Sequence, residues 1–157
     1  MSELKKKILD KSATLGVCGL GYVGLPLAVE KAKAGYHVLG FDVQEKKVEM
    51  VNNGQNYIGD VVNADLAELV ESGMLRATSD FAAVASCDCV CICVPTPLDR
   101  HQQPDISYVK SSAEEIAKYM HRDMLIVLES TTYPGTTEEL LKPIFESADK
   151  VAEISVG

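Results

Sequence analysis

Residues 16–28, GVCGLGYVGLPLA, contain the pattern Gly19-x-Gly21-x-x-Gly24. Residues 13–18, which lead into them, read as a short buried strand. Beyond them Val23, Leu27, Ala28 and Ala32 recur at helical spacing up to Gly35. Asp42 ends a second apolar run, YHVLGFD, 23 positions after Gly19. Strand, glycine turn, helix and a delayed acidic residue together form a dinucleotide-binding pattern, and each member has a physical task. Gly19 permits the tight turn, Gly21 lets the backbone approach a pyrophosphate, and Gly24 lets helix and strand pack closely. The helix start supplies free N–H groups and partial positive charge to the phosphates. Asp42 would accept from the two adenosine ribose hydroxyls and repel a 2′-phosphate. No arginine follows it, and Lys46 and Lys47 read as solvated helix charges, so NAD is expected rather than NADP. Pro26 is tolerated only near a helix start, which places that start at residues 21–23.

Working outward, residues 44–51 read as a short amphipathic helix, 52–63 as a loop rich in asparagine and glycine, and 65–73 as a helix. A strand at 75–78, a short helix at 81–85 and a strand at 89–94 follow. A proline-marked loop runs to Asp105, and 107–119 is helical with Val109, Ala113 and Ile116 on its buried side. DMLIVLES is an apolar strand, TTYPG a turn, and 136–148 a helix opened by Thr-Thr-Glu-Glu, which is N-terminal capping chemistry. Residues 151–156 read as a last strand. Apolar strands alternating with helices select a parallel sheet covered on both faces. The expected fold is α/β: a Rossmann-like, doubly wound, three-layer α/β/α domain over residues 1–157, its ordered core from about residue 13, with strand order 3-2-1-4-5-6.

The chain has 157 residues, the size of one domain. Its net charge of −8 gives no basic stripe for nucleic acid or an anionic membrane, so any phosphate must be held locally. No apolar run approaches the roughly 18 residues of a membrane span, and MSELKKKILDK lacks the apolar segment of a signal peptide. A cytoplasmic location with reduced thiols is the expectation, and five cysteines, an odd number, argue against a disulfide framework.

Five segments in order, GLGYVGLPLA, GFDV, VPTPLD, PDISYV and ESTTYPGTTEE, carry a resemblance to the N-terminal NAD-binding domain of the UDP-glucose/GDP-mannose dehydrogenase family, in particular the branch acting on UDP-N-acetylhexosamines. Such enzymes oxidise the C6 hydroxyl of a nucleotide sugar to a carboxylate with two NAD, through a thiohemiacetal and a thioester on a cysteine. The resemblance implies that this cysteine, with its assisting lysine, asparagine and aspartate, lies in later parts of a longer protein. The present chain is then expected to bind NAD without turnover. It implies a UDP-sugar substrate and a homodimer or larger assembly for the full-length protein, and a monomeric fragment. It assigns Gly19, Gly21, Tyr22, Val23 and Gly24 to the pyrophosphate and adjoining cofactor and Asp42 to the ribose. Val94, Pro95, Thr96 and Pro97 would flank the cofactor, and Thr131 would help position water near the nicotinamide. Glu129 is a further candidate for a ring or ribose contact, and Arg100 for a substrate phosphate or a partner subunit.

Two other readings of the glycine pattern stay open: a stand-alone NAD-sensing regulatory module, and the cofactor domain of another NAD-dependent dehydrogenase. VPTPLD and ESTTYPGTTEE have no purpose in the regulatory module. The histidines His37, His101 and His121 are too scattered for zinc or a triad, and no metal site is expected. Cys87, Cys89, Cys91 and Cys93 occupy alternate positions. If extended, such a run spans about 20 Å, too far for four thiolates to share one ion, so they read as small buried hydrophobes on one face of a strand.

Overall fold

Short runs of β-branched and apolar residues pair in parallel, each followed by an amphipathic helix that returns the chain to the same end of the sheet. The computed structural model describes residues 2–148. The strands β1 (Thr14–Cys18), β2 (His37–Phe41), β3 (Leu75–Thr78), β4 (Cys89–Ile92) and β5 (Leu125–Leu128) form one sheet in the order β3-β2-β1-β4-β5. That is the expected order as far as the described residues reach; the strand expected at 151–156 lies outside them. Register is continuous across the centre, with Gly16 of β1 opposite both Leu39 of β2 and Val90 of β4.

The helices are α1 (Glu3–Leu9), α2 (Gly24–Lys33), α3 (Glu45–Asn52), α4 (Asn63–Glu71), α5 (Ser107–Tyr119) and α6 (Lys142–Ala148). Leu25, Ala28, Val29 and Ala32 of α2 pack with Val51 of α3 and Leu66 of α4 on one face of the sheet. Val109, Ala113 and Ile116 of α5 pack with Phe145 of α6 on the other. The result is the three-layer, doubly wound arrangement. All strands being parallel, their C-terminal ends share one edge, and the chain changes direction between β1 and β4, where ligands of open α/β sheets bind.

Several local expectations change. The polar opening is a helix: the Ser2 hydroxyl accepts from the Lys5 N–H at 3.3 Å, and Leu4 and Ile8, four apart, pack against the core. Lys7 pins α1 to the start of β4 through Asp88 at 2.7 Å. Thr136 does not cap the last helix but donates from its hydroxyl to the Tyr133 carbonyl at 2.7 Å. A π-helical stretch, Thr137–Leu141, leads into α6. Pro143 explains the wide turn, since it has no N–H to offer the preceding turn and its ring crowds the carbonyl four residues back. The loop at 52–63 is anchored, with Ile58 and Val61 buried in the core.

The alternating cysteines split between the faces. Cys89, Cys91 and Cys93 join the α2 side, whereas Cys87 joins the α5 side with Cys18. The reason is that Cys87 closes a 3₁₀ turn, Phe81–Ser86, and its N–H bonds the Val84 carbonyl before the strand begins. All five thiols are free and buried. Burial pushes Cys18, Cys87 and Cys93 from 9.0 up to about 12. N-ethylmaleimide at pH 8 should therefore leave the native chain almost unlabelled while the urea-unfolded chain takes five equivalents. Equal labelling rates in the two states would contradict this packing. Unfolded thiols ionise near 9.0 while these stay neutral, so stability should fall as pH rises from there toward about 12.

Candidate functional site

The glycine turn lies at the switch point, and its geometry shows why glycine stands at each position. Gly19 has φ +94°, and a Cβ there would meet the Cys93 carbonyl oxygen at 2.8 Å. A Cβ on Gly24 would stand 1.6 Å from the Gly19 carbonyl oxygen, so helix and turn touch backbone to backbone. A Cβ on Gly21 would meet nothing within 4 Å, which leaves open the place where a pyrophosphate needs close backbone approach. The Leu25 and Leu27 N–H groups bond the carbonyls of Gly21 and Val23 at 3.1 Å each, so helical turning begins where Pro26 required. Leu25 and Leu27 are thereby bonded and Pro26 has no N–H, so what the start of α2 offers an anion is the Gly24 N–H and the turn before it. No acidic side chain sits in its first turn, so nothing from the helix opposes an anion there.

Asp42, just past β2, is 7% exposed. Its Oδ2 accepts from the Leu20 N–H at 3.0 Å and its Oδ1 from the Gln44 N–H at 2.9 Å, so the carboxylate ties the second strand to the glycine turn. Lys47 is no solvated charge: its Nζ lies 3.7 Å from Asp42 Oδ2. One turn of α3 carries it back over the end of β2. Tyr57, from the loop at 52–63, donates its hydroxyl to the Leu20 carbonyl at 2.7 Å. Leu20 is thus gripped at both backbone groups, and its buried side chain fills the space above Gly40.

Between this turn and α5 lies a cavity of about 170 Å³. Cys18, Gly19, Phe41 and Asp42 line it from the strand ends, Val43, Gln44 and Lys47 from the α3 side, Val94 and Pro95 from the end of β4, and Tyr108, Ser111, Ser112 and Glu115 from α5. Phe41 and Phe81, with ring centroids 5.4 Å apart, give it an apolar wall. These residues fit a dinucleotide: a bare backbone for the phosphates, a buried carboxylate for a ribose and an apolar slot for a base.

Gly19, Asp42, Val94 and Pro95 meet in this cavity. Tyr22 and Val23 do not line it and stand 81% and 57% exposed at the start of α2. Thr96 and Thr131 come together beyond the ends of β4 and β5, where the Thr96 hydroxyl donates to the Thr131 carbonyl at 2.7 Å. The Ser130 hydroxyl donates to the Val94 carbonyl at 2.8 Å and draws the same two loops together. Thr131 itself is exposed. The Pro97 carbonyl accepts from the Asp105 N–H at 2.7 Å, closing the loop that carries Arg100. Asp99 Oδ1 stiffens that loop by accepting from the N–H groups of His101 and Gln103 at 2.7 and 2.9 Å. Both ring nitrogens of His121 lie 2.8 Å from carbonyl oxygens, those of Arg122 and Cys87, which fits a structural role. Among the described residues no cluster of three or more His, Cys, Asp or Glu could hold a metal, and no helix is long and apolar enough to cross a membrane. Lys47, Tyr57, Ser130 and the α5 wall escaped the sequence reading, because nothing in their local spacing marks them.

Comparison with known proteins places this geometry. Residues 13–157 match the model of the UDP-glucose/GDP-mannose dehydrogenase family, NAD binding domain. A UDP-N-acetyl-D-glucosamine 6-dehydrogenase of Pseudomonas aeruginosa is 38% identical over 136 residues, covering 87% of this chain and 31% of that protein. A UDP-N-acetyl-D-mannosamine dehydrogenase of Escherichia coli (strain K12) is 38% identical over 138 residues, covering 85% and 31%. The solved UDP-glucose dehydrogenase of the archaeon Pyrobaculum islandicum superposes with a TM-score of 0.83 at 32% identity, covering 90% of this chain and 34% of that one. The chain therefore spans about a third of the length of the relatives it matches.

Proposed function

The chain belongs to the UDP-glucose/GDP-mannose dehydrogenase family as its NAD-binding domain, and from that premise we propose that it holds NAD for a longer enzyme oxidising the C6 hydroxyl of a UDP-N-acetylhexosamine to the uronic acid. The sugar class rests on relatives named for UDP-N-acetyl-D-glucosamine and UDP-N-acetyl-D-mannosamine. The observation that carries the reading is the buried Asp42 beside the open backbone at Gly21 and the cavity under α5.

When bound, NAD supplies the hydride acceptor. The chain's own residues bind and orient. Gly19, Gly21 and Gly24 bring the start of α2 to the phosphates, with Tyr22 and Val23 at its rim. Asp42, with Lys47 beside it, takes the adenosine ribose hydroxyls. Val94, Pro95, Thr96 and Pro97 flank the nicotinamide side, and Thr131 holds water or a proton there. Ser130 and Thr96 keep the two loops at fixed separation, which matters because positioning is this domain's contribution to rate. The residues doing covalent chemistry on the sugar, and the contacts that build a homodimer or larger assembly, belong to other segments of the protein. A cytoplasmic home suits five free thiols.

Calorimetry should show this chain binding NAD and NADH as a monomer, while mixing it with NAD and UDP-N-acetylglucosamine or UDP-N-acetylmannosamine should give no NADH above background. Steady formation of NADH would refute the division of labour, and absence of dinucleotide binding would refute the proposed role.

A further inference from the structure

The cavity beside Asp42 is apolar along Phe41, Phe81 and Tyr108, yet its α5 wall carries Ser111, Ser112 and Glu115. If Asp42 and Lys47 take the ribose at one end, the base enters the slot between the Phe81 turn and α5. The serine hydroxyls can donate or accept and so impose little choice on a base edge. Glu115 differs, because a carboxylate only accepts. Its Oε1 is held by Lys118, one turn further along α5, which fixes the side chain and leaves Oε2 for a second donor. Adenine offers one exocyclic donor, its 6-amino group; a 6-oxo purine puts a carbonyl oxygen at that place, against the carboxylate.

We propose that Glu115 is a specificity-determining residue that accepts from the 6-amino group of adenine and thereby makes the domain select 6-amino over 6-oxo purine dinucleotides. The inference rests on the reading that NAD occupies this cavity. Glu115 is 43% exposed, so solvent weakens the discrimination well below that of a fully buried site.

The test is calorimetry of this chain with NAD and with nicotinamide hypoxanthine dinucleotide, for wild type and Glu115→Gln. Wild type should bind the hypoxanthine form about tenfold or more weakly than NAD. Glu115→Gln, whose amide can turn either a donor or an acceptor to the base, should bind the two within about threefold and keep its melting temperature. Wild-type affinities within twofold of each other, or a glutamine variant that discriminates as wild type does, would overturn the assignment of Glu115 while leaving NAD binding intact. Failure of both dinucleotides to bind wild type would overturn the underlying reading and the inference with it.

Discussion

Asp42→Ala should weaken NAD binding by roughly 10- to 150-fold, the range for losing hydrogen bonds to a charged acceptor worth about 1.5–3 kcal/mol. The substitution also removes the acceptor for the buried Leu20 N–H, now bonded at 3.0 Å. An unsatisfied buried N–H costs about 1–3 kcal/mol, so the glycine turn should loosen as well. With the carboxylate gone, Lys47, now 3.7 Å from it, is left without its counter-charge and free to meet a 2′-phosphate. The ratio of NADP to NAD affinity should therefore rise. Titration calorimetry with both dinucleotides checks each part. NAD affinity within twofold of wild type would remove Asp42 from the ribose site, and an unchanged NADP to NAD ratio would remove Lys47 from the argument.

Gly24→Ala should force the start of α2 away from the glycine turn. Glycine turns of this type accept alanine at the third position in other proteins, but here the added carbon would stand 1.6 Å from the Gly19 carbonyl oxygen. The obstacle is backbone and cannot rotate away. Overpacking in cores costs about 1–3 kcal/mol, and a backbone clash belongs at or above the top of that range. A loss of about 3 kcal/mol lowers the melting temperature by roughly 6–12 °C at this chain length. Gly21→Ala separates stability from binding, since its Cβ would meet no protein atom within 4 Å. It should melt within about 2 °C of wild type yet bind NAD much more weakly, because the methyl group would occupy the open face meant for the pyrophosphate. Equal melting temperatures for Gly24→Ala and wild type would show that the turn yields where the structure says it cannot.

The pattern of what could be read in advance has a physical basis. The strand at 75–78 and the helix at 107–119 were legible to the residue because their apolar periods are clean and no proline or glycine interrupts them. The helix at Glu3–Leu9 has its signal in Ser2, Leu4 and Ile8, which carry its cap and its apolar face, but the signal is weak because the segment is short and otherwise mostly polar. At residues 136–148 the capping signal misled, because Thr136 bonds back to Tyr133 and Pro143 widens the turn that follows.

By itself the sequence determined the parallel sheet, its order through the fifth strand, the glycine turn and the acidic residue after the second strand. Those follow from alternation, spacing and the steric demands of glycine, which are local properties of the chain. Only the tertiary structure decided what grips and furnishes the site. Tyr57 reaches Leu20 across 37 residues and Ser130 reaches Val94 across 36, and neither contact leaves a trace in local spacing. The same holds for the cavity wall, where Glu115 and Asp42 line one cavity only because β4 lies on the far side of β1 and carries α5 onto the opposite face of the sheet.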